Sequence, residues 1–295
     1  MKLYEMAKAP NPRRVRMFLA EKGLLDKVER IEIDLSKGTI LEKNCVYLVK
    51  LQESLNLPKK ICAFANTKSS IGRLDLLTRL ITDYGTEFDR IKNAYNGPLY
   101  AEISPRSFSV LVRAGERLNQ IRLKNNGGKN HNNNELGKDS LEIASVIPEN
   151  ELVHGINFSV DLNNHKGSVI GYKAKPHTPL IDLSKINHYK AADFWDQIKT
   201  KSGRLILDPG AFYILMSKET VIVPPNYAAE MAPYQAVMGE FRVHYAGFFD
   251  PGFGYAEEGG EGSRGVLEVR CHEAPFTLQN GQVIGRLIYE KMSEE

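Results

Sequence analysis

The sequence predicts a mainly β protein built from two tandem copies of one sandwich or barrel, preceded by a short strand and helix. Two observations carry this. The chain matches itself at an offset of 166 residues: Tyr47 meets Tyr213, Glu53 meets Glu219, Pro58 meets Pro224, Glu102 meets Glu268 and Gly115 meets Gly281. Apolar positions answer one another between these anchors, as Val46 with Phe212, Leu55 with Val221 and Val110 with Phe276. A register kept over so long a stretch implies one fold used twice. Second, short alternating segments recur between Gly, Pro and Asn breaks, the pattern of antiparallel sandwiches and barrels.

The elements follow in order. Lys2–Glu5 reads as a strand. Asn11 suits a helix cap, Pro12 the first helical position and Gly23 the exit, and Val15, Phe18 and Leu19 share one face. From residue 31 the character becomes strand-like. Leu99, Ala101 and Ile103 alternate with Tyr100, Glu102 and Ser104, and Phe108, Val110 and Val112 with Ser109 and Leu111. Residues 124–150 open with an Asn-rich polar run and read as an exposed linker, too poor in apolar groups to offset the entropy of ordering. The expected organisation is therefore an N-terminal fragment 1–30, a first repeat 31–123, the linker 124–150 and a second repeat 151–295. Within the second repeat, residues 191–198 read as a short helix or packed loop around the single Trp.

Composition narrows the function. Hydrophobic residues at 42% suffice for two cores, while a net charge of +3 gives no field that would recruit a nucleic-acid polymer. The sequence has no apolar run of about eighteen residues, so no membrane span is expected. The N-terminus lacks a secretory pattern, and Cys45, Cys62 and Cys271 form neither a disulfide framework nor a metal knuckle. A reducing cytoplasm is the expected setting.

Three motifs carry chemistry. Lys68-Ser-Ser-Ile-Gly-Arg73 gathers two hydroxyls, a glycine and two cations. With Ser70 capping a helix from Ile71, backbone N–H groups, Lys68, Ser69 and Arg73 would converge on a phosphate. The plainer reading is a Ser-capped surface helix. The second motif is a strand carboxylate followed thirteen residues later by glycine, as Glu102…Gly115 and Glu268…Gly281. Flanked by apolar neighbours, such a carboxylate suits proton transfer; otherwise it faces solvent from the polar side of a strand. The third is Asp250-Pro-Gly, a turn in which Pro fixes φ and Gly permits φ > 0. It presents Asp250 to a ligand or merely joins two strands.

In this order the motifs resemble the dCTP deaminase branch of the dUTPase-like superfamily, in its double-length form, over about residues 31–295. The residues that carry the resemblance are Lys68 to Arg73, Gly97-Pro-Leu-Tyr-Ala-Glu-Ile-Ser-Pro105, the turn at Asp250, Leu267-Glu-Val-Arg270 and Gly281 to Leu287. The resemblance implies hydrolysis of the 4-amino group of dCTP to give dUTP and ammonia, without zinc. Zinc deaminases use a Pro-Cys-x-x-Cys pair, and this sequence has none. Carried over residue by residue, Glu102 and Glu268 both match the general base, and Ser69 and Arg73 match the groups that hold the water and the developing charge. Lys68, Ser70, Gly72, Ala246 and Asp250 would join Ser69 and Arg73 in binding substrate. Magnesium would ride on the triphosphate, and a homo-oligomer is expected. An Asp in the turn would also suit a dUTP diphosphatase or a bifunctional enzyme, and an inert nucleotide-binding oligomer is a third reading.

The copies diverge at these motifs. The first has Lys68, Ser69, Ser70 and Arg73, where the second has Tyr234, Gln235, Ala236 and Gly239. The second has Asp250-Pro-Gly, where the first has Phe88-Asp-Arg-Ile91. The expectation is one composite site: Lys68, Ser69, Ser70 and Arg73 from the first copy, Asp250 and Glu268 from the second, and Glu102 structural. Residues 1–30 instead resemble the opening of a glutathione transferase, too short a match for that activity to carry over. The first copy then lacks a counterpart of Phe158-Ser-Val-Asp-Leu162, which would leave an unpaired edge.

Overall fold

A computed structural model describes residues 2–5, 23, 29–32, 34–125, 156–163, 169–233, 241–243, 247–256, 260–271 and 274–293. The expected helix at Pro12–Lys22 and nearly all of the linker lie outside these residues. The strands are β1 (Lys2–Glu5), β2 (Glu29–Glu32), β3 (Thr39–Leu41), β4 (Tyr47–Asn56), β5 (Ile61–Thr67), β6 (Leu76–Thr82), β7 (Arg90–Ile91), β8 (Asn96–Pro105), β9 (Val110–Val112) and β10 (Asn119–Asn125). There follow β11 (Ile156–Ser159), β12 (Gly171–Ala174), β13 (Ile181–Asp182), β14 (Trp195–Ile198), β15 (Arg204–Leu207), β16 (Phe212–Val221) and β17 (Tyr227–Pro233). The last are β18 (Phe241–Val243), β19 (Phe248–Phe249), β20 (Ser263–Cys271), β21 (Phe276–Gln279) and β22 (Val283–Lys291). Two single-turn helices, α1 (Ser69–Gly72) and α2 (Ala191–Phe194), complete the described elements. The fold is thus mainly β and dUTPase-like. None of the described helices is long and apolar enough to cross a membrane.

The chain divides into two compact units, Met1–Gly128 with Pro176–Phe194, and Lys129–Lys175 with Trp195–Glu295. The repeat is visible in the hydrogen-bond registers. Adding 166 to both members of Tyr47–Ile103 gives Tyr213–Val269, the pairing of β16 with β20. The same shift takes Thr39–Val112 to Leu205–Leu278 and Thr67–Asn119 to Pro233–Gly285. Even the irregularity recurs, between Lys50 and Ser54 and between Met216 and Thr220. One tether repeats as well. The buried Tyr47 hydroxyl accepts the Glu42 N–H at 2.7 Å, and the buried Tyr213 hydroxyl accepts the Asp208 N–H at 2.8 Å. Each would otherwise strand a backbone donor, at a cost of about 1–3 kcal/mol.

In unit 1 one sheet runs β2-β1-β4-β8-β6 and another β10-β5-β7. Ala63, Ala65, Leu80, Ile91 and Leu99 form a core between strands. In unit 2 the corresponding sheets are β14-β12-β16-β20-β18 and β11-β22-β17-β19, around a larger core that includes Phe158, Leu215, Leu267 and Leu287. Among the described residues the first repeat differs from the second at its start. β1 and β2 occupy the places of β12 and β14, but β1 runs parallel to both β2 and β4, whereas β12 is antiparallel to β14 and β16. Among the described residues β10 has no neighbour matching β11. In unit 2, Glu219 accepts hydrogen bonds from the Ser159 N–H and hydroxyl of β11, while its counterpart Glu53 is exposed.

The span expected for the second repeat contains a segment that packs with unit 1. β13 lies parallel on β9, and Arg113 grips the Asp182 carboxylate with N–O distances of 2.6 and 3.1 Å, holding it well below the usual carboxylate range. The Asp182 N–H donates to the Tyr189 hydroxyl at 2.7 Å, and Phe194 of α2 meets Phe108 edge to face. The single Trp opens β14 directly after α2, so residues 191–198 are half helix, half strand.

Candidate active site

The cationic segment is a turn whose apolar middle is buried and whose polar residues lie at the surface. β5 ends at Thr67, and the Lys68 N–H donates to the Leu118 carbonyl at 2.9 Å. Ile71 and Gly72 are buried; Lys68, Ser70 and Arg73 are exposed and Ser69 is half-buried. Two hydroxyls and two cations therefore reach the surface of unit 1 from one anchored turn. The expected Ser70 cap is not formed. Helix α1 begins at Ser69, with Lys68 at the cap position and no side-chain capping bond. The N–H groups of Ile71 and Gly72 are taken by the Lys68 carbonyl at 2.8 and 2.9 Å. A single turn accumulates little dipole, so what the turn offers an anion is the Lys68 and Arg73 charges and the hydroxyls.

Glu102, in β8, faces Arg79 of β6. The Arg79 Nε donates to Glu102 Oε1 at 3.0 Å, and Nη2 contacts the same oxygen. The guanidinium also lies 4.1 Å from the centre of the Phe88 ring. Glu102 is thus committed to an ion pair on its own unit. Beside it, Asp89 adopts φ +61° and accepts the Leu80 N–H at 2.7 Å. Burial, with a smaller push from Glu102, raises its carboxyl from 3.8 to about 6 against the opposing effects of the Leu80 N–H and Arg79. The folded chain therefore favours protonated Asp89, and this contribution, complete below pH 3.8, is lost as pH rises through about 6. Asp89→Asn keeps the acceptor and tolerates the left-handed backbone. It should raise the urea midpoint more at pH 7.5 than at pH 4.5, by a stability gain on the order of 2 kcal/mol at the higher pH.

In unit 2, Glu268 lies in β20 opposite Ile214, only 4% exposed between the fully buried Leu267 and Val269. The turn at Asp250 forms as expected. The Asp250 carbonyl accepts the Phe253 N–H at 3.1 Å, and Gly252 has φ +88°, as a type II turn requires. Val223 holds the turn from below, donating to the Phe253 carbonyl at 2.8 Å and accepting from the Gly252 N–H at 2.9 Å. Asp250 itself is exposed.

The expected counterpart of this turn is corrected. It is not Phe88–Ile91 but Lys92–Tyr95. The Tyr95 N–H donates to the Lys92 carbonyl at 3.2 Å, Leu57 donates to the Tyr95 carbonyl at 2.8 Å, and Ala94 takes φ +57°. Lys92 therefore stands where the second repeat has Asp250. The two loop lengths flanking the short strand differ between the repeats, so the 166-residue offset fails locally. Ala63 pairs with Ile91 but Ala229 with Phe249. Ala246 and residues 234–239 lie outside the described residues. One residue that motif reading missed is Asp75, fully buried at φ +54° directly after the cationic turn; a lone Asp before a strand gives no signal in sequence.

Residues 14–127 match the family profile described as 2′-deoxycytidine 5′-triphosphate deaminase (DCD) N-terminal domain, and residues 130–295 that of the C-terminal domain. The first match begins within the stretch that resembles a glutathione transferase. A crystal structure titled 2′-deoxycytidine 5′-triphosphate deaminase from Agrobacterium tumefaciens is 52% identical and superposes with a TM-score of 0.81, over 88% of this chain and 79% of that one. No curated protein matches.

Proposed function

The chain belongs to the 2′-deoxycytidine 5′-triphosphate deaminase family and deaminates dCTP to dUTP; we propose that Glu268 is its general base and that Ser69 and Arg73 hold the attacking water and the developing charge. The observation that carries this assignment is the contrast between the two glutamates. Glu102 keeps 20% side-chain exposure and accepts from Arg79, whereas Glu268 is only 4% exposed, withdrawn from bulk water. In this reading Glu268 takes a proton from water as its oxygen bonds to C4 of the pyrimidine. The proton passes to N3, and the proton of the new C4 hydroxyl goes to the amine as the C4–N4 bond breaks. Water and dCTP give dUTP and ammonia, with every proton accounted for. Lys68, Ser70 and Arg73 take up triphosphate charge, Gly72 lets the turn pack closely, and Ala246 and Asp250 contribute from the second repeat. Lys92 in place of Asp250 explains why the first repeat does not supply that contact.

The chemistry needs no zinc in this reading, because the sequence has no Pro-Cys-x-x-Cys pair. Magnesium enters with the triphosphate. The protein works as a homo-oligomer in the cytoplasm. The exposed Asp250 favours a second reading, in which the same enzyme also activates water against phosphate and yields dUMP. Product analysis with magnesium decides. Ammonia and dUTP in equal amounts, with dUTP stable thereafter, supports deamination alone; pyrophosphate and dUMP establish the bifunctional enzyme. No ammonia from dCTP would refute the proposal.

A further inference from the structure

We infer that Asp75 is a positioning residue for deamination, holding the Ser69–Arg73 turn in its working geometry; the inference rests on the assignment of Ser69 and Arg73 to the reaction. Asp75 is fully buried and takes φ +54°, a conformation an L-residue adopts at a cost. Three bonds converge on it. Its Oδ2 accepts the Ser107 hydroxyl at 2.6 Å, its carbonyl accepts the Arg106 N–H at 3.0 Å, and its own N–H donates to the Gly72 carbonyl at 2.8 Å. The end of the turn is thereby fixed to the loop between β8 and β9.

The base of the same turn is fixed by a second polar tie. The Thr67 hydroxyl donates to the Thr78 carbonyl at 3.0 Å, and the Thr78 hydroxyl donates to Thr67 Oγ1 at 3.0 Å, both side chains being buried. Two buried polar ties bracket the six residues Lys68–Arg73.

The second repeat shows what these ties serve. Thr78 pairs with Ile103 and Val243 with Val269, the counterpart of Ile103, so Val243 stands in the place of Thr78. Pro233 stands in the place of Thr67 by the register of β17 on β22. Neither can make the hydroxyl tie. With the one-residue shift, Glu240 takes the sequence position of Asp75 and Glu273 that of Ser107, both outside the described residues. The second repeat still forms the same strands in the same registers. The sandwich therefore does not require the hydroxyl tie. The hydroxyl tie stands in the copy whose turn carries Lys68, Ser69, Ser70 and Arg73, and the other copy has Pro233 and Val243 in its place.

The test compares steady-state deamination by Asp75→Ala, Asp75→Asn, Ser107→Ala, Ser69→Ala and Arg73→Ala. Tyr47→Phe in the same unit serves as a control that loses a buried acceptor far from the turn in sequence. Displacement of the turn by about 1 Å should cost roughly 10–100-fold in kcat. Asp75→Ala should show that loss with KM moving less than the turnover, and Asp75→Asn should restore most of it, since Asn accepts the Ser107 proton and tolerates the left-handed backbone. Ser107→Ala, which removes one hydroxyl, should lie between and serves if Asp75→Ala does not fold. Tyr47→Phe should melt earlier yet keep the kcat of its folded fraction. Wild-type kcat in Asp75→Ala or in Ser107→Ala, with Ser69→Ala and Arg73→Ala crippled, overturns the positioning role alone. Full activity in Ser69→Ala and Arg73→Ala overturns the underlying assignment, and the positioning role falls with it.

Discussion

Glu268→Gln should reduce dCTP turnover by roughly 10²–10⁴-fold, the span expected when a general base is removed, while Glu102→Gln should keep kcat within about threefold of the parent. Gln preserves the shape and most hydrogen bonds of Glu but cannot carry a proton. At position 268 that is the whole of the proposed role lost, since there the buried carboxylate moves protons between water and amine. At position 102 the carboxylate already answers Arg79. The amide oxygen of Gln still accepts from that guanidinium, so the local structure survives. The pair is partly exposed, with side-chain exposures of 38% and 20%, so Glu102→Gln should cost only about 1 kcal/mol of stability. Stopped ammonia assays on the two variants, each checked for folding by thermal melt, decide the matter. The reverse ranking returns the base to Glu102.

Gly254→Ala should be the most damaging small substitution in the described part of unit 2. Gly254 has φ +67°, and an added Cβ would lie 2.2 Å from the Val221 carbonyl oxygen and 2.7 Å from the Ser263 nitrogen. Both atoms are backbone in long strands, so neither swings aside as a side-chain tip would. Left-handed strain of about 1–2 kcal/mol adds to the clash, and the total should reach about 3 kcal/mol or more, in the range where named backbone defects fall. The turn that presents Asp250 is anchored to Val223 just beyond Val221. The substitution should therefore lower the denaturation midpoint and weaken substrate binding together. A melt within one degree of the parent would contradict the packing described for this turn.

Sequence alone made the repeat legible because its anchors are residues with few substitutes. The tyrosines at 47 and 213 each hold a backbone N–H, and Gly115 and Gly281 both take positive φ. Strand pairings between them kept their register because a slip of one residue would turn every core side chain outward. Loops obey no such constraint. The loop lengths on either side of β7 and β19 changed while the paired strands did not, so the 166-residue offset fails there, and the hydrogen bonds choose Lys92–Tyr95 in place of the expected Phe88–Ile91. Ala94 hid this turn, because φ > 0 is announced in sequence by Gly or Asn and not by Ala.

Ser70 followed by an apolar residue looks like a cap, yet the chain leaves β5 so abruptly that Lys68 is already the cap residue. The placement of Pro176–Phe194 on unit 1 was not legible either. It depends on Arg113 meeting Asp182, residues 69 positions apart with nothing local to link them. Nor was it legible that β1 would stand parallel in the place of β12; the strand expected to be missing is the counterpart of β11. At the candidate site, the motif residues were readable as chemistry, while the commitment of Glu102 to Arg79 emerged only once β6 and β8 were paired.

The measurement that most directly tests the pooling of the two repeats into one reaction is a kinetic cycle of Arg73→Ala, Glu268→Gln and the double variant. Residues serving one chemical step are strongly non-additive, so each single change should be crippling and the double should turn over dCTP within about threefold of the worse single. Two independent sites would instead leave each single variant with about half of the parental turnover, the double alone being inactive, and that result would contradict the account.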